Sequence, residues 1–195
     1  MEYKKEKELF LKTALPDIPF DGWSDDLMER TSKKLKISNT KVSKIFPQDY
    51  KDLVLFFFEY LSDKTIEKFN KLNTKDMRVR DKISEAVKIR FKIAAENKEA
   101  FALAIKATAH PSYRLQLPKL IWSAADKIWW AAGDTSTDYN HYTKRLLLSG
   151  VITASTFYWL NDNSANNEQV NKFIDRRIEN VLQLGKTVSK FKARA

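Results

Sequence analysis

The chain has 195 residues, 43% of them apolar, with a net charge of +10. That length supports one good hydrophobic core, so a single compact domain is expected. The absence of cysteine excludes disulfides and thiolate chemistry, and without a run of 18 apolar residues no membrane-crossing helix is expected.

Four glycines and five prolines favour helices joined by short connections over a sheet with many turns. Met1 to Glu8 mixes both charges and lacks an apolar stretch, so no signal or transit peptide is expected. Lys5 to Ala14 predicts a first helix and Pro16 to Gly22 a connector. Ser24 is placed to cap a helix in which Leu27, Met28 and Thr31 share a face, with Asp25 and Asp26 at its favourable N-terminal end. Ser38 or Asn39 starts a short helix through Val42 and Ile45, which Phe46-Pro47 stops. Asp49 opens the run DLVLFFFEYL, whose adjacent Phe56, Phe57 and Phe58 need cover on two sides.

Three short helices before a longer one follow the order of a helix-turn-helix head (1–48) joined to a ligand-binding body (49–195). A regulator would place the helix near Ser38 to Ile45 in a major groove. That stretch carries Lys41 and Lys44 but no arginine, and the turn Lys34-Leu35-Lys36 lacks a glycine. Asp25, Asp26, Glu29 and Asp49 oppose phosphates. The head therefore reads as degenerate, with DNA binding as the alternative.

Met77, Ile83, Val87, Phe91 and Ala94 keep helical spacing. Alanines 100, 102, 104, 107 and 109 then allow close helix approach or leave room for a ligand. His110-Pro111 ends that helix, and Leu117-Pro118 begins another in which Leu120, Ile121, Ala124, Ala125 and Ile128 share a stripe. Gly133 sits where this helix would stop, since glycine enters the left-handed cap conformation at little cost. Asp134 to Asp138 form a polar turn, and Asp138 or Asn140 would cap a new helix near His141. A well-capped helix-loop-helix explains the turn residues. It does not explain the crowding of Trp129, Trp130, Tyr139, His141 and Tyr142, because aromatic residues concentrate at interfaces.

Tyr142 to Leu160 has an almost uncharged middle, and a helix apolar all round is expected to be buried on every side. Its Ser149, Gly150, Thr153 and Ala154 suit a close helix crossing or an apolar cavity. Near the C-terminus Lys172, Arg176, Arg177, Lys186, Lys190, Lys192 and Arg194 face only Asp175 and Glu179. A helix docked through Val170, Phe173, Ile174, Ile178, Val181, Leu182 and Leu184 would turn that charge outward. It would attract anionic headgroups or an acidic partner, or only complement the helix dipole. His110 and His141 lie 31 residues apart with no metal-binding context, and no nucleotide-binding or nucleophile motif occurs. These absences favour a protein that is not an enzyme and holds no metal.

The run GDTSTDYNHYTKR, with ADKIWWAA before it and FIDRRI at 173 to 178 after it, resembles the TetR-like, lipid-binding family of ubiquinone (coenzyme Q) biosynthesis accessory proteins. Ala14-Leu15-Pro16, DGWSDDLMERTSKKLKIS from Asp21 to Ser38, and Phe46-Pro47 follow the family's order. The resemblance implies an all-α, TetR-like helical bundle with a degenerate N-terminal helix-turn-helix. It also implies a non-enzymatic protein without a cofactor, which binds isoprenoid lipid or phospholipid and presents a polyprenyl quinone intermediate to the di-iron demethoxyubiquinone hydroxylase. Carried over by position, the hydroxylase-binding patch is Ile128, Asp138, Tyr139, His141, Tyr142 and Arg145. His141 stands where the family usually has tryptophan, and Tyr139 where phenylalanine is usual. An apolar pocket is expected between the helices near 49–61, 91–109 and 142–160, lined by Phe57, Phe91, Leu103, Leu147, Val151, Ala154 and Tyr158. A homodimer is expected, as is weak, reversible membrane association, since TVSKFKARA is a poor interfacial anchor. Lysine-rich, glycine-poor usage and the lack of a presequence suggest a bacterial cytoplasm, at the inner membrane, with the mitochondrial matrix as the alternative. The alternative is a TetR-type regulator with an apolar ligand pocket.

Overall fold

The computed structural model describes residues 3–137, 139–162 and 167–192, without the side chains of Leu182 and of 184–192. The described residues form ten α-helices and no strand. In order they are α1 (Lys4–Ala14), α2 (Ile18–Asp21), α3 (Asp25–Leu35), α4 (Asn39–Ile45), α5 (Tyr50–Phe69), α6 (Val79–Ala95), α7 (Lys98–Thr108), α8 (Gln116–Ala131), α9 (Tyr139–Leu160) and α10 (Glu168–Lys192). A 3-10 turn, Pro111–Tyr113, precedes α8. Among the described residues no helix is long and apolar enough to cross a membrane.

The chain divides into two compact units, one of residues 1–63 and 93–120, the other of 64–92 and 121–195. The head expected over 1–48 is thus part of a larger unit that also takes in the start of α5 and all of α7. Trp23 explains the grouping: its Nε1 donates to the Ala100 carbonyl at 3.1 Å, and its ring lies 5.4 Å from Phe57. Phe58 meets Phe101 edge-on at 5.6 Å, and Phe10 packs on Phe46 at 5.1 Å. Phe56, Phe57 and Phe58 are all buried, so this part of α5 is covered on several sides.

Local chemistry sets the helix ends in this unit. Ser24 Oγ accepts from the Leu27 amide at 3.2 Å and Ser38 Oγ from the Lys41 amide at 3.4 Å, which satisfies donors that the helix itself leaves open. The connector expected over 16–22 holds the single turn of α2, where Pro19 stands near the start and forfeits an amide that needs no partner. Lys36 closes α3 in the left-handed conformation at φ 54°, without the glycine such a turn prefers.

In the second unit Phe91 of α6 meets Trp159 of α9 edge-on at 5.6 Å. α10 buries Val170, Ile174 and Ile178 along one stripe, and Phe173 stacks on Tyr158 at 4.3 Å. A polar clasp joins α10 to α6, with Ser84 Oγ donating to Asp175 at 2.5 Å and Lys88 Nζ at 2.8 Å.

α9 is not buried on every side. Arg145, Leu148, Val151, Ile152, Ser155, Thr156 and Trp159 turn inward at three- and four-residue spacing, whereas Tyr142, Leu146, Gly150 and Phe157 face water. Burial follows one helical stripe, and a lack of charge on the rest of the helix does not bring neighbours to it.

Candidate functional site: the α8–α9 elbow

α8 ends in a Schellman turn. Gly133 takes φ 93°, its amide donates to the Trp130 carbonyl, and the Asp134 amide donates to the Trp129 carbonyl, each at 3.0 Å. The turn reverses the chain and sets the Asp134 carboxylate beside the first turns of α9. There it accepts from Lys144 Nζ at 2.6 Å, from Ser136 Oγ at 2.8 Å and from Arg145 Nη1 at 2.9 Å.

Arg145 is the centre of the elbow. Its guanidinium also donates from Nε to Asp126 Oδ1 of α8 at 2.5 Å and from Nη1 to the His141 carbonyl at 3.1 Å. With the side chain 0% exposed, the cation is tolerable only because two carboxylates and a carbonyl replace its water. Burial pushes the Asp134 carboxyl upward, but hydrogen bonds from Lys144, Arg145 and Ser136 outweigh it and hold the group well below the usual carboxylate range. Trp129 completes the joint: Nε1 donates to the Lys144 carbonyl at 3.1 Å, and Lys144 Nζ lies over the ring at 5.3 Å.

This buried frame carries an aromatic surface. Tyr139 is 69% exposed and Tyr142 62%, with Trp130 and Leu146 also open to water. Trp122 approaches Tyr142 at 6.3 Å, and the half-buried His141 ring lies 5.2 Å from it. His141 Nδ1 donates to the Ser136 carbonyl at 3.0 Å, which ties the ring to the loop.

Two residues expected in the docking patch are not at the surface. Ile128 is 2% exposed in the core stripe of α8, beside the buried Ala124 and Ala125, and Arg145 is drawn inside by Asp126 and Asp134. Both can support the patch and neither can touch a partner. Asp138 lies outside the described residues, as do the side chains of Leu182, Leu184, Lys186, Lys190 and Lys192, and Arg194 altogether.

Of the residues expected to line a lipid pocket, Phe57 and Leu103 belong to the first unit, and Phe91, Leu147, Val151, Ala154 and Tyr158 to the second. Phe57 is packed by Trp23 and lies 6.1 Å from Phe101, Phe91 by Trp159, and Tyr158 by Phe173. Val151 is buried, while Leu103, Leu147 and Ala154 are half-buried.

The sequence reading missed Asp126 and Lys144. Asp126 is 19 residues from its partner, and no periodic spacing marks such a pair. Asp134 had a local signal, since it follows the glycine that ends α8. Among the described residues no group of three or more His, Asp or Glu is placed to hold a metal ion.

Residues 115–185, which contain the elbow, match the COQ9 family. The mitochondrial ubiquinone biosynthesis protein COQ9 of Rattus norvegicus is 26% identical over 98% of this chain and 64% of its own length. The Homo sapiens protein is 25% identical over 98% of this chain and 63% of its own. That of Schizosaccharomyces pombe is 26% identical over 92% of this chain and 71% of its own. The chain therefore spans a little under two thirds of the mammalian proteins. A TetR transcriptional regulator from Nitrosomonas europaea superposes with a TM-score of 0.71, covering 91% of this chain and 98% of that one at 15% identity. That likeness establishes the TetR-like fold.

The expected bacterial cytoplasm is overturned. The relatives from rat, human, cattle and fission yeast are mitochondrial proteins, which points to mitochondria instead. Lysine-rich, glycine-poor usage reports the composition of a genome and not a compartment. By the match over residues 115–185 and by the relatives together, the chain is similar to the COQ9 ubiquinone biosynthesis proteins, and its fold is all-α and TetR-like.

Proposed function

We propose that this chain acts in ubiquinone biosynthesis as a non-enzymatic accessory protein, which binds an isoprenoid lipid and presents a polyprenyl quinone intermediate to the di-iron hydroxylase. The observation that carries the docking half is the elbow. Tyr139 and Tyr142 stand exposed on a frame held by buried ion pairs, and rigid aromatic groups on a preorganised support are what a protein interface uses as anchors. The role in the pathway is supported by the likeness to proteins of ubiquinone biosynthesis. An apolar site would lower the cost of drawing a polyprenyl tail from a bilayer, since each buried methylene contributes about 0.8 kcal/mol. Contact with the membrane surface is weak and reversible in this reading, through the basic face of α10.

Docking is tested by co-purification with the hydroxylase from the same source. Tyr142→Ala together with Tyr139→Ser is expected to abolish the complex while the helical circular dichroism signal is unchanged, and an undiminished complex would rule out the patch. Solvent extraction of the native protein followed by mass spectrometry tests the lipid half. Recovery of quinone precursor or phospholipid near one per chain supports it, and an empty protein opposes it.

A further inference from the structure

Resting on the reading of the elbow as a docking surface, we propose that His141 decides which polar group a partner must bring there. At neutral pH His141 Nε2 accepts a hydrogen bond from a donor on the partner protein, and protonation of the ring abolishes that contact.

The loop fixes the tautomer. His141 Nδ1 lies 3.0 Å from the Ser136 carbonyl oxygen, which can only accept, so Nδ1 carries the proton. In a neutral imidazole the other nitrogen then presents a lone pair. Nε2 has no partner among the described residues and is reached by water. The half-buried ring lies 5.2 Å from the ring of the exposed Tyr142, so a protein that covers Tyr142 strips the water from Nε2 as well.

That loss has to be made good by the partner. An acceptor taken from water without a donor costs free energy, so the matching surface offers an N–H or O–H at this point. A carboxylate or a carbonyl, which only accepts, would meet the lone pair with repulsion. Protonation reverses the preference, because Nε2 then becomes a donor and the ring a cation.

The charged groups of the elbow are already committed to one another. Asp134 of the loop accepts from Lys144 at 2.6 Å and from Arg145 at 2.9 Å, and Asp126 of α8 accepts from Arg145 at 2.5 Å. Lys144 Nζ also lies 3.4 Å from Ser136 Oγ, and Arg145 Nη1 donates to the carbonyl of His141 itself at 3.1 Å. Two carboxylates thus balance two cations, and none of these side chains supplies a donor to Nε2. Asp134 is held ionised to well below the range in which an imidazole titrates, so the frame stays closed while the ring changes state. The other histidine, His110, belongs to the first unit, where Nδ1 accepts from the Ser112 amide at 3.3 Å.

The test titrates purified hydroxylase into the full chain at about pH 7.5 and about pH 5.5, on either side of the range in which an imidazole takes up a proton. Wild type is expected to bind about tenfold or more weakly at the lower pH, since a buried donor is left without its acceptor. His141→Gln, whose side-chain oxygen accepts and takes up no proton, is expected to bind equally at both. His141→Phe, which keeps a ring and has no acceptor, is expected to bind weakly at both. Nitrogen NMR of the wild-type ring at neutral pH is expected to place the proton on Nδ1. Affinity that rises as pH falls would mean that the partner presents an acceptor, and overturns the assignment. An affinity independent of pH, a His141→Gln variant with the wild-type pH dependence, or a proton on Nε2 overturns it equally. The docking reading survives each of these results as long as Tyr142→Ala still loses the complex. A wild type that binds the hydroxylase at neither pH removes the docking reading and the role of His141 with it.

Discussion

Arg145 Nη1 donates to Asp134 Oδ2 at 2.9 Å in a place where the two side chains are 0% and 5% exposed. Because Asp126 holds the same guanidinium from α8, this ion pair fixes the reversal between α8 and α9. Replacing Arg145 by Met strands two carboxylates, one of them buried, and breaking a buried pair in this way costs about 3–5 kcal/mol. Tyr142→Ala, at an exposed site, is expected to change stability by less than about 0.5 kcal/mol. Denaturant unfolding of the two variants checks this. Similar midpoints would mean that Arg145 is not the frame and Tyr142 not the surface.

Asp134 makes the elbow acid-sensitive. Its folded carboxyl is held below the unfolded value near about 3.9, so its contribution is fully present above that pH and is lost as pH falls through the lower folded value. Wild-type stability is expected to decline steeply below about pH 4, with the α8–α9 loop and Tyr142 losing their fixed environment. Asp134→Asn is less stable at neutral pH and gives a shallower decline. Tryptophan fluorescence from Trp129, followed as a function of pH, reads the difference.

The two glycines of this region should respond to substitution with opposite signs. Gly133 holds φ 93°, where a side chain meets no neighbour but the backbone itself is unfavourable, so Gly133→Ala is expected to cost about 1–2 kcal/mol. Gly150 is an ordinary helical residue with open space beside it, so Gly150→Ala is expected to stabilise the monomer by about 0.5–1 kcal/mol. Thermal unfolding at low concentration separates the two, and equal signs would contradict the distinction.

What could be read in the sequence was what local chemistry determines. Ser24, Ser38 and Gly133 each act within a few residues of their own position, so their caps follow from the order of residues alone. The core stripe of α8 through Ala124, Ala125 and Ile128 follows from spacing. The outward face of α9 does not, because in an evenly apolar helix composition cannot tell which stripe meets the core. Arg145 was harder still. A charged side chain is ordinarily assigned to the surface, and the two carboxylates that draw it inward lie 19 and 11 residues away. Of the residues expected in a docking patch, Tyr139 and Tyr142 are therefore exposed, whereas Ile128 and Arg145 are buried.

The head of the fold bears on the remaining alternative, DNA binding. α4 carries exposed Lys41 and Lys44, but beside it opens a cleft of about 310 Å³ lined in part by Asp25, Glu29 and Asp49. Those carboxylates repel phosphate, and at physiological salt such repulsion acts over a Debye length of about 8 Å. Wild type is therefore expected to show no measurable sequence-dependent affinity for duplex DNA at physiological salt. Neutralising the cleft with Asp25→Asn, Glu29→Gln and Asp49→Asn keeps the shapes, and Asn at position 49 tolerates the left-handed backbone found there, φ 52°. The triple variant should gain weak affinity that falls as salt rises and does not depend on sequence, the signature of phosphate contact alone. Fluorescence anisotropy with random and genomic duplexes checks both. Tight, sequence-dependent binding by the wild-type chain would restore the regulator reading.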